Sequence, residues 1–176
     1  MPDTAAPPRD TIAPHLTSLA AACPLQAGPL RTTVADLALA VGWRQLRPLR
    51  LADTEWAVVV GHKRAEDPLR AVLPLPLHTT SLTPHELKAV FGALARLDVA
   101  ALPEPLPPLA PSVAELQEKL GKTDQLAEVA EEPEPDSTPA TFDPDTLYMA
   151  IVATDSTVVY YKLSRGIKKP HDIPDE

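Results

Sequence analysis

The chain has 176 residues, a formal net charge of -8 and 22 prolines. This length allows one domain with a sizeable core, but the prolines and an aromatic content of only 4% indicate that part of the chain is not packed. Cys23 is the only cysteine, which excludes an internal disulfide and a zinc site built on several thiolates, and favours a reducing compartment. No apolar run is long enough to span a bilayer, and the start MPDTAAPPRD lacks the parts of an export signal, so we expect a soluble, intracellular protein.

The negative charge is concentrated in one segment. Residues 98–145 hold twelve acidic residues against Lys119 and Lys122, so the rest of the chain is slightly basic. Global acidity therefore does not exclude contact with nucleic acid. Residues 99–145 also contain nine prolines and predict a solvated insertion. Inside it, residues 112–130 carry apolar side chains at near-helical spacing and predict an amphipathic helix.

Two helices are predicted in the first quarter of the chain. Residues 1–10 are small, polar and proline-rich and predict a disordered tail. Residues 11–22 predict a short helix that ends before Pro24. A second helix over residues 32–41 follows from apolar side chains at the i, i+3, i+4, i+7 spacing, and Gly42 should stop it. The apolar stripe comprises Val34, Leu37, Ala38 and Val41.

Three extended segments follow, over residues 43–51, 56–63 and 69–77. The middle one contains WAVVVGH, whose three successive valines predict a buried central strand. Pro74 and Pro76 cannot donate to a β-ladder, so the second half of the third segment is predicted to lie at an edge or outside the sheet. These patterns leave the order of the strands open.

The helix from Pro84 to about Leu97 has the clearest start. Thr83 suits the N-cap, Pro84 suits the first helical position, and Glu86 completes a capping box. Its apolar face should make this helix a main contributor to the core. That face comprises Leu87, Val90, Phe91, Leu94 and Leu97.

The C-terminal stretch LYMAIVATDSTVVYYKLSRG predicts a β-hairpin. Residues 147–153 are a run of strand formers, residues 154–157 make a polar turn, and residues 158–163 form the second strand. Side chains alternate along a strand. Val159, Tyr161 and Leu163 therefore share one face, and Val158, Tyr160 and Lys162 share the other.

The hairpin sequence ATDSTVVYYKLSRG closely resembles the C-terminal hairpin of the small non-catalytic subunit, the Sen fifteen family, of the eukaryotic tRNA-splicing endonuclease. A second stretch, TTSLTPHELKAVFGALARL, is similar to a strand exit and helix of the same family. The resemblance covers roughly residues 12–98 and 141–167. It implies an α/β fold of the tRNA-intron-endonuclease catalytic-domain type, restriction-endonuclease-like, with a mixed sheet flanked by helices. One domain would span residues 11–167, interrupted by a disordered, acidic and proline-rich insertion at 99–145 and followed by a tail at 168–176.

The catalytic subunits of that enzyme cut RNA without a metal, using a tyrosine as base, a histidine as acid and a lysine that stabilises the charged phosphorane. The resemblance places TFDPDTLYM, with Asp143 and Asp145, on the helix where those subunits carry the lysine. None of the five histidines lies near a tyrosine in the sequence, and Tyr160 and Tyr161 point to opposite faces of a strand. We therefore predict no catalytic residue, no metal and no cofactor, and interpret these tyrosines as core and interface packing.

The resemblance implies a structural role in a heterotetramer of catalytic and non-catalytic subunits that removes introns from precursor tRNA. The second hairpin strand would pair with a catalytic subunit, and the acidic turn would dock into a basic cleft across the assembly. An isolated chain would self-associate as a homodimer. The family implies a nuclear location, with the outer surface of mitochondria as the alternative. The predicted partner interface comprises Asp155, Ser156, Val158, Val159, Tyr160, Tyr161, Lys162 and Leu163.

Two other functions are also compatible with the sequence. One is a metal-independent RNase in its own right, which needs a converging histidine, tyrosine and lysine. The other is a protein-interaction module unrelated to RNA, in which the acidic insertion binds. Arg44, Arg47 and Arg50 are candidate RNA contacts, and a strand edge defended by charge is the alternative interpretation of them.

Overall fold

The computed structural model of this protein describes residues 13–64, 66–109 and 141–166. Within them, helices flank a five-stranded mixed sheet on both faces, which confirms the mixed α/β architecture expected from the sequence. The strands, in their order across the sheet, are β1 (Arg44–Arg50), β2 (Ala57–His62), β3 (Leu69–Pro76), β4 (Phe142–Val152) and β5 (Val158–Ser164). Neighbouring strands are antiparallel except for β3 and β4, which are parallel.

Three α-helices accompany the sheet in the described part of the chain. They are α1 (Ala13–Ala22), α2 (Ala27–Asp36) and α3 (Pro84–Ala95). The 3₁₀ turn Pro24–Gln26 joins α1 to α2, the π-helical turn Leu37–Val41 continues α2, and the 3₁₀ turn Val99–Ala101 follows α3. Among the residues that the structure describes, none of the helices combines the length and the apolar character that a membrane span requires. The predicted tail at 1–10, the predicted tail at 168–176 and the first two residues of the predicted first helix lie outside the described residues.

α3 begins as the capping box predicts. The Thr83 hydroxyl accepts from the Glu86 N–H at 3.2 Å, and the Thr83 N–H donates to the Glu86 carboxylate at 2.9 Å. Val90 and Leu94 on the predicted apolar face are fully buried against the sheet. The local sequence therefore predicts both the start and the orientation of this helix.

β2 lies between two hydrophobic clusters because its successive valines point to opposite faces of the sheet. Val58 and Val60 pack on the α3 side, whereas Val59 packs on the side of α1 and α2. All three valines are 0% exposed. The predicted buried strand is confirmed, although the middle strand of the five is β3.

α2 begins at Ala27 and not at residue 32 as predicted. Gly28 and Pro29 lie in its first turn, where the missing N–H of a proline leaves no helical hydrogen bond unmade. Val41, predicted to be buried, is 42% exposed, because the π-helical turn takes it out of the 3.6-residue register of the stripe. The predicted stop at Gly42 is confirmed, with a φ of +76°.

The prediction that the second half of β3 lies at an edge or outside the sheet is wrong. Pro74 and Pro76 are in register with Ala150 and Val152 of the parallel neighbour β4. Because a proline has no N–H, it cannot donate a ladder hydrogen bond to β2, the neighbour on its other side. Another group must therefore donate to the carbonyl oxygen of β2.

The side chain of Gln26 supplies that donor. Its Nε2 donates to the carbonyl oxygens of Ala57 at 3.0 Å and Pro74 at 2.7 Å, and its Oε1 accepts from the Ala57 N–H at 2.7 Å. Gln26 is 1% exposed, so water does not compete for these bonds. A buried carboxamide therefore replaces the ladder pair between β2 and β3 and makes a proline compatible with the middle strand.

Residues 99–109, predicted as part of the solvated insertion, pack against the domain. Leu102 contacts the cluster on the α3 side, and Leu106 contacts the cluster on the side of α1 and α2. Between these contacts the chain passes the outer edge of β1, where the Leu106 N–H donates to the Leu46 carbonyl oxygen at 2.7 Å. We call residues 102–109 the edge strap.

The other end of the predicted insertion also differs, because β4 begins at Phe142. Asp143 and Asp145, which the resemblance placed on a helix, lie within this strand, between the positions Phe142 and Leu147 that pair with β3 on either side of a register shift. Residues 110–140, with the predicted amphipathic helix at 112–130, lie outside the described residues.

Candidate functional site

β4 and β5 form the predicted hairpin with an unbroken antiparallel register. In the turn, the Ala153 N–H donates to the Thr157 carbonyl at 2.9 Å and the Ser156 N–H donates to the Ala153 carbonyl at 3.0 Å. Ser156 has a φ of +68°, in the left-handed region that favours glycine. The turn is therefore held by its own hydrogen bonds at some cost in backbone strain.

β5 is an edge strand, since within the described ranges it pairs with β4 alone. Near the two ends of the hairpin, the Ala153 N–H bonds the Thr157 carbonyl and the Arg165 N–H bonds the Asp145 carbonyl. Along an antiparallel ladder, residues that bond the neighbour alternate with residues that face away from it. The odd-numbered residues of β5 thus bond β4. The backbone N–H and C=O groups that point out of the sheet belong to Val158, Tyr160, Lys162 and Ser164.

The two faces of β5 are covered differently. On the α3 side, Val159 and Tyr161 are 47% and 55% exposed, next to their partners Ile151 and Met149 of β4. On the other side, Tyr160 packs against the cluster formed with α1 and α2. An apolar surface therefore lies beside the open edge on the α3 face.

Tyr160 ties the edge strand to the end of α2. Its hydroxyl donates to the Asp36 carboxylate at 2.7 Å. Burial, together with this hydrogen bond and the negative charge of Asp36, holds the pKa of Tyr160 well above its ordinary value. The phenol is therefore protonated at neutral pH, and its contact orients β5.

We expect Tyr160→Phe to lower the free energy of unfolding by about 1 kcal/mol, because half-buried Asp36 loses its donor. Since the folded-state pKa of Tyr160 is raised, this contribution is complete below the unfolded pKa of about 10 and is lost as the pH rises above it. Urea unfolding at neutral and alkaline pH measures both effects. Tyr161→Phe, on the exposed face, is the matched control and should be near neutral. Equal stability of the two variants would contradict the role of the Asp36 contact.

Asp155 caps the hairpin turn. Its Oδ1 accepts from the Thr157 N–H at 3.0 Å. This hydrogen bond holds the pKa of the exposed Asp155 carboxyl below its ordinary value, so the side chain is charged at neutral pH. Asp155 thus has a local role in the turn beside the docking role predicted from the resemblance.

Asp155→Asn and Asp155→Lys separate those two roles. The asparagine keeps a carbonyl oxygen for the turn and removes the charge, whereas the lysine removes the acceptor and reverses the charge. If docking depends on charge, both variants should reduce recovery of the partner complex, and the lysine more strongly. The asparagine variant should unfold at nearly the same denaturant concentration as the wild type. Unchanged complex recovery with Asp155→Lys would remove the docking role.

Arg44, Arg47 and Arg50 do not share one surface. Residues directly opposite each other in an antiparallel pair lie on the same face of the sheet. Arg47 is opposite Val60 of the α3-side cluster, whereas Arg50 is opposite Ala57 of the cluster on the other side. The three candidate RNA contacts are therefore divided between the two faces, because the alternation of the strand separates them.

Within the part of the chain that the structure describes, no hydrogen bond joins a histidine to a tyrosine. The His15 Nε2–H donates to the Pro48 carbonyl at 2.8 Å, and the His62 Nδ1–H donates to the Asp67 carbonyl at 2.8 Å. Both rings hold backbone groups of neighbouring segments. This agrees with interpreting them as structural residues.

Asp143 carries a negative charge where the resemblance places a lysine in the catalytic subunits. Burial raises the pKa of Asp143, but hydrogen bonds from Thr146 and the Asp145 N–H, with the charge of Arg70, outweigh it and hold the pKa below its ordinary value. The Arg70 Nε lies 3.6 Å from the Asp143 carboxylate. A carboxylate here would repel a phosphate and could not stabilise a phosphorane.

The described residues contain no group of three or more His, Cys, Asp or Glu side chains that could hold a metal ion. Cys23 is 3% exposed, and burial raises the pKa of its thiol, which disfavours the nucleophilic thiolate. It lines a cavity of about 220 Å³ together with Arg50, Glu55 and Trp56. This cavity brings no activated nucleophile to its surface.

Sequence reasoning missed two residues that shape the hairpin and the sheet beside it. Asp36 bonds Tyr160 across 124 positions of the chain, and no local pattern indicates such a pair. Gln26 precedes α2, and no motif in the sequence distinguishes it from an exposed polar residue. The only signal that could have pointed to it was Pro74, since a proline within a central strand needs a donor from elsewhere.

A scan of protein-family models matches residues 109–174 of this chain to the family described as Sen15 protein. The matched range contains β4 and β5, and it begins within the segment predicted as an insertion. The second similar stretch, at residues 79–97, lies outside it and stays a prediction. No curated protein matches the chain. The match falls on the hairpin that carries the resemblance and confirms it: residues 109–174 of this chain are similar to the Sen15 protein family, a family of tRNA-splicing endonuclease subunits.

Proposed function

We propose that this protein is a non-catalytic, structural subunit of the tRNA-splicing endonuclease, and that it pairs with a catalytic subunit through the outer edge of β5. We further infer that its sheet and helices have the tRNA-intron-endonuclease, restriction-endonuclease-like arrangement. The observation that carries the proposal is the contrast between the two sheet edges. The β5 edge turns backbone groups outward at four positions, whereas the edge strap lies along the β1 edge.

A strand added to β5 would satisfy the outward N–H and C=O groups of the edge and extend the sheet. Val159 and Tyr161 lie beside that edge with about half of their surface exposed. An open edge with apolar side chains is an aggregation hazard in a lone chain. Pairing with a partner subunit removes the hazard and makes the same residues an interface.

The state of the relevant side chains supports a non-catalytic role. A tyrosine that acts as a general base must lose its proton readily, and the contact with Asp36 has the opposite effect on Tyr160. The His62 ring already donates to a backbone carbonyl. Asp143 places a negative charge where the resemblance places the lysine of the catalytic subunits. An RNase in its own right would need these groups to converge, which the described residues do not provide.

The test of the pairing is Lys162→Pro in the tagged protein, expressed in cells that contain the endonuclease. The Lys162 N–H points out of the sheet, so a proline removes an outward donor and leaves the bonds between β4 and β5 intact. We expect recovery of the catalytic subunits to fall at least about tenfold, which corresponds to a loss of about 1.4 kcal/mol. The variant alone should unfold as cooperatively as the wild type.

Lys162→Ala is the matched control, because it removes the same side chain and keeps the backbone N–H. We expect it to recover the complex almost as well as the wild type. If Lys162→Pro folds and recovers the complex at the level of Lys162→Ala, the β5 edge is not the pairing site. If both variants lose the complex equally, the lysine side chain and not the edge carries the contact.

The non-catalytic role is tested by intron excision from precursor tRNA. Protein purified with its partners should excise the intron, and the recombinant chain alone should not. Excision by the lone chain would overturn the non-catalytic role. Recovery of partners without any excision would favour an interaction module unrelated to tRNA.

We propose a nuclear location on the family alone, with the cytoplasmic surface of mitochondria as the alternative. Imaging of the tagged protein at its natural level distinguishes the two. Co-localisation with the catalytic subunits is expected in either case, and separation from them would contradict the proposed assembly.

A further inference from the structure

The outer edge of β1 has almost no backbone group left for pairing. The Leu51 N–H bonds the Trp56 carbonyl of the neighbouring strand end, so residues 48 and 50 face away from β2. Pro48 has no N–H, and its carbonyl oxygen accepts from the His15 ring at 2.8 Å. This leaves Arg50, whose exposed charged side chain opposes the approach of an apolar strand.

The edge strap occupies a further outward group of β1. The Leu46 carbonyl oxygen accepts from the Leu106 N–H at 2.7 Å. Leu46 itself is 5% exposed, so a chain segment and not solvent lies along this part of the edge. The strap therefore takes the place that a pairing strand would take at Leu46.

Apolar contacts on both faces of the sheet hold the strap in place. Val99 and Leu102, before the hydrogen bond, pack on the α3-side cluster, while Leu106 and Leu109 pack on the cluster of α1 and α2. The chain thus wraps around β1 from one face to the other. Pro103, Pro105, Pro107 and Pro108 restrict the backbone in between to extended conformations, which lowers the entropy lost on wrapping.

We propose that residues 102–109, together with Pro48 of β1, act as an edge guard that confines strand pairing by this protein to β5. Without the guard, β1 would be a second pairing edge at the opposite end of the sheet. The β5 edge of a second copy could then add to β1, and this contact is heterologous and does not close. Such pairing would extend the sheet from copy to copy, whereas a single open edge limits assembly to one partner strand.

The test compares two variants of the full chain in solution by sedimentation or light scattering. Pro48→Val restores an outward N–H on β1 while the strap keeps its bond to Leu46. Pro48→Val combined with Leu106→Pro also removes the donor that bonds Leu46. We expect the single variant to keep the wild-type mass distribution and the double variant to show at least about a twofold higher weight-average mass that grows with concentration. Limited proteolysis should cut the strap faster in the double variant.

Adding Lys162→Pro to the double variant identifies the partner edge. If β1 of one copy pairs with β5 of another, this third change should return the mass toward that of the single variant. Extension that persists would overturn the pairing of β1 with β5. An increase in mass with Pro48→Val alone would show that the intact strap does not guard the edge and would overturn the proposal. A double variant with a cut strap and unchanged mass would also overturn it.

The edge guard can be tested without knowing the partner of β5. Leu106→Val, which keeps the N–H and an apolar side chain, controls for the change of residue and should leave the mass unchanged. Complex recovery with Lys162→Pro tests whether β5 pairs with the endonuclease partner. The mass of the isolated chain tests the edge guard. The two results can therefore fail separately.

Discussion

Gln26→Ala is expected to lower the free energy of unfolding by about 3–4 kcal/mol, because it leaves three backbone groups of β2 and β3 without partners. These groups are the Ala57 N–H, the Ala57 carbonyl and the Pro74 carbonyl, which lie 2.7 to 3.0 Å from the carboxamide. The site is 1% exposed, so solvent cannot replace the bonds without opening the sheet. Urea or guanidinium unfolding of the isolated chain measures the loss.

Three further variants identify the cause of that loss. Gln26→Met fills the space without hydrogen bonding, so it should lose nearly as much stability as the alanine. Gln26→Glu presents a carboxyl to two carbonyl oxygens, which favours its protonated form in the folded state, so its stability relative to wild type should fall as the pH rises above the unfolded pKa of about 4. Leu25→Ala, at a neighbouring position 66% exposed, should be near neutral. A methionine variant as stable as the wild type would show that packing, and not the hydrogen bonds, matters at this site.

Gly61→Ala is expected to lower the free energy of unfolding by about 1–3 kcal/mol through overpacking. A Cβ at Gly61 would lie 2.8 Å from the Leu46 Cδ2 and 3.1 Å from the Arg44 carbonyl oxygen. The leucine methyl group can move, but the carbonyl belongs to β1 next to an irregularity in its register, so the strands must separate. Gly61→Val should be worse than alanine, and chemical unfolding with hydrogen exchange of β1 would show where the strain is released.

Gly92→Ala is the matched control for Gly61→Ala. We expect it to change the free energy of unfolding in the opposite direction. Gly92 lies within α3, and no heavy atom is found within 4 Å of an added Cβ. Alanine has the higher helix propensity, so stability should rise by up to about 1 kcal/mol. If Gly61→Ala is as well tolerated as Gly92→Ala, the close approach of β1 and β2 does not restrict this position.

Elements with a complete local signal were predicted well. α3 follows from Thr83, Pro84 and Glu86, because a capping box needs only two residues that are three positions apart. The hairpin follows from strand formers on either side of a polar turn, since both strands are neighbours in the chain. By contrast, the π-helical turn at the end of α2 was predicted as regular α-helix with a continuous apolar stripe. Val41 was therefore wrongly predicted to be buried.

The candidate site was predicted in part. Alternation along the second hairpin strand separates Tyr160 from Tyr161, and the structure places them on opposite faces as expected. The contact of Tyr160 with Asp36 could not be predicted, because it joins the edge strand to a helix at the other end of the chain. The partner interface itself stays a prediction that the Lys162 and Asp155 variants test.

The sequence by itself determined the family resemblance, the hairpin, the buried valine strand and the start of α3, because each of these depends on residues close together in the chain. The tertiary structure alone decided which strand is in the middle and which edge is open. By local rules a proline is excluded from a central strand. Gln26, from another segment, nevertheless donates the hydrogen bond that the backbone of Pro74 cannot donate. A proline-rich segment likewise predicts a solvated chain. Residues 102–109 nevertheless lie along β1, because the Leu46 carbonyl accepts a hydrogen bond from this segment and two apolar clusters contact it. Strand order and edge protection depend on such long-range pairs, whose partners have no fixed spacing in the sequence.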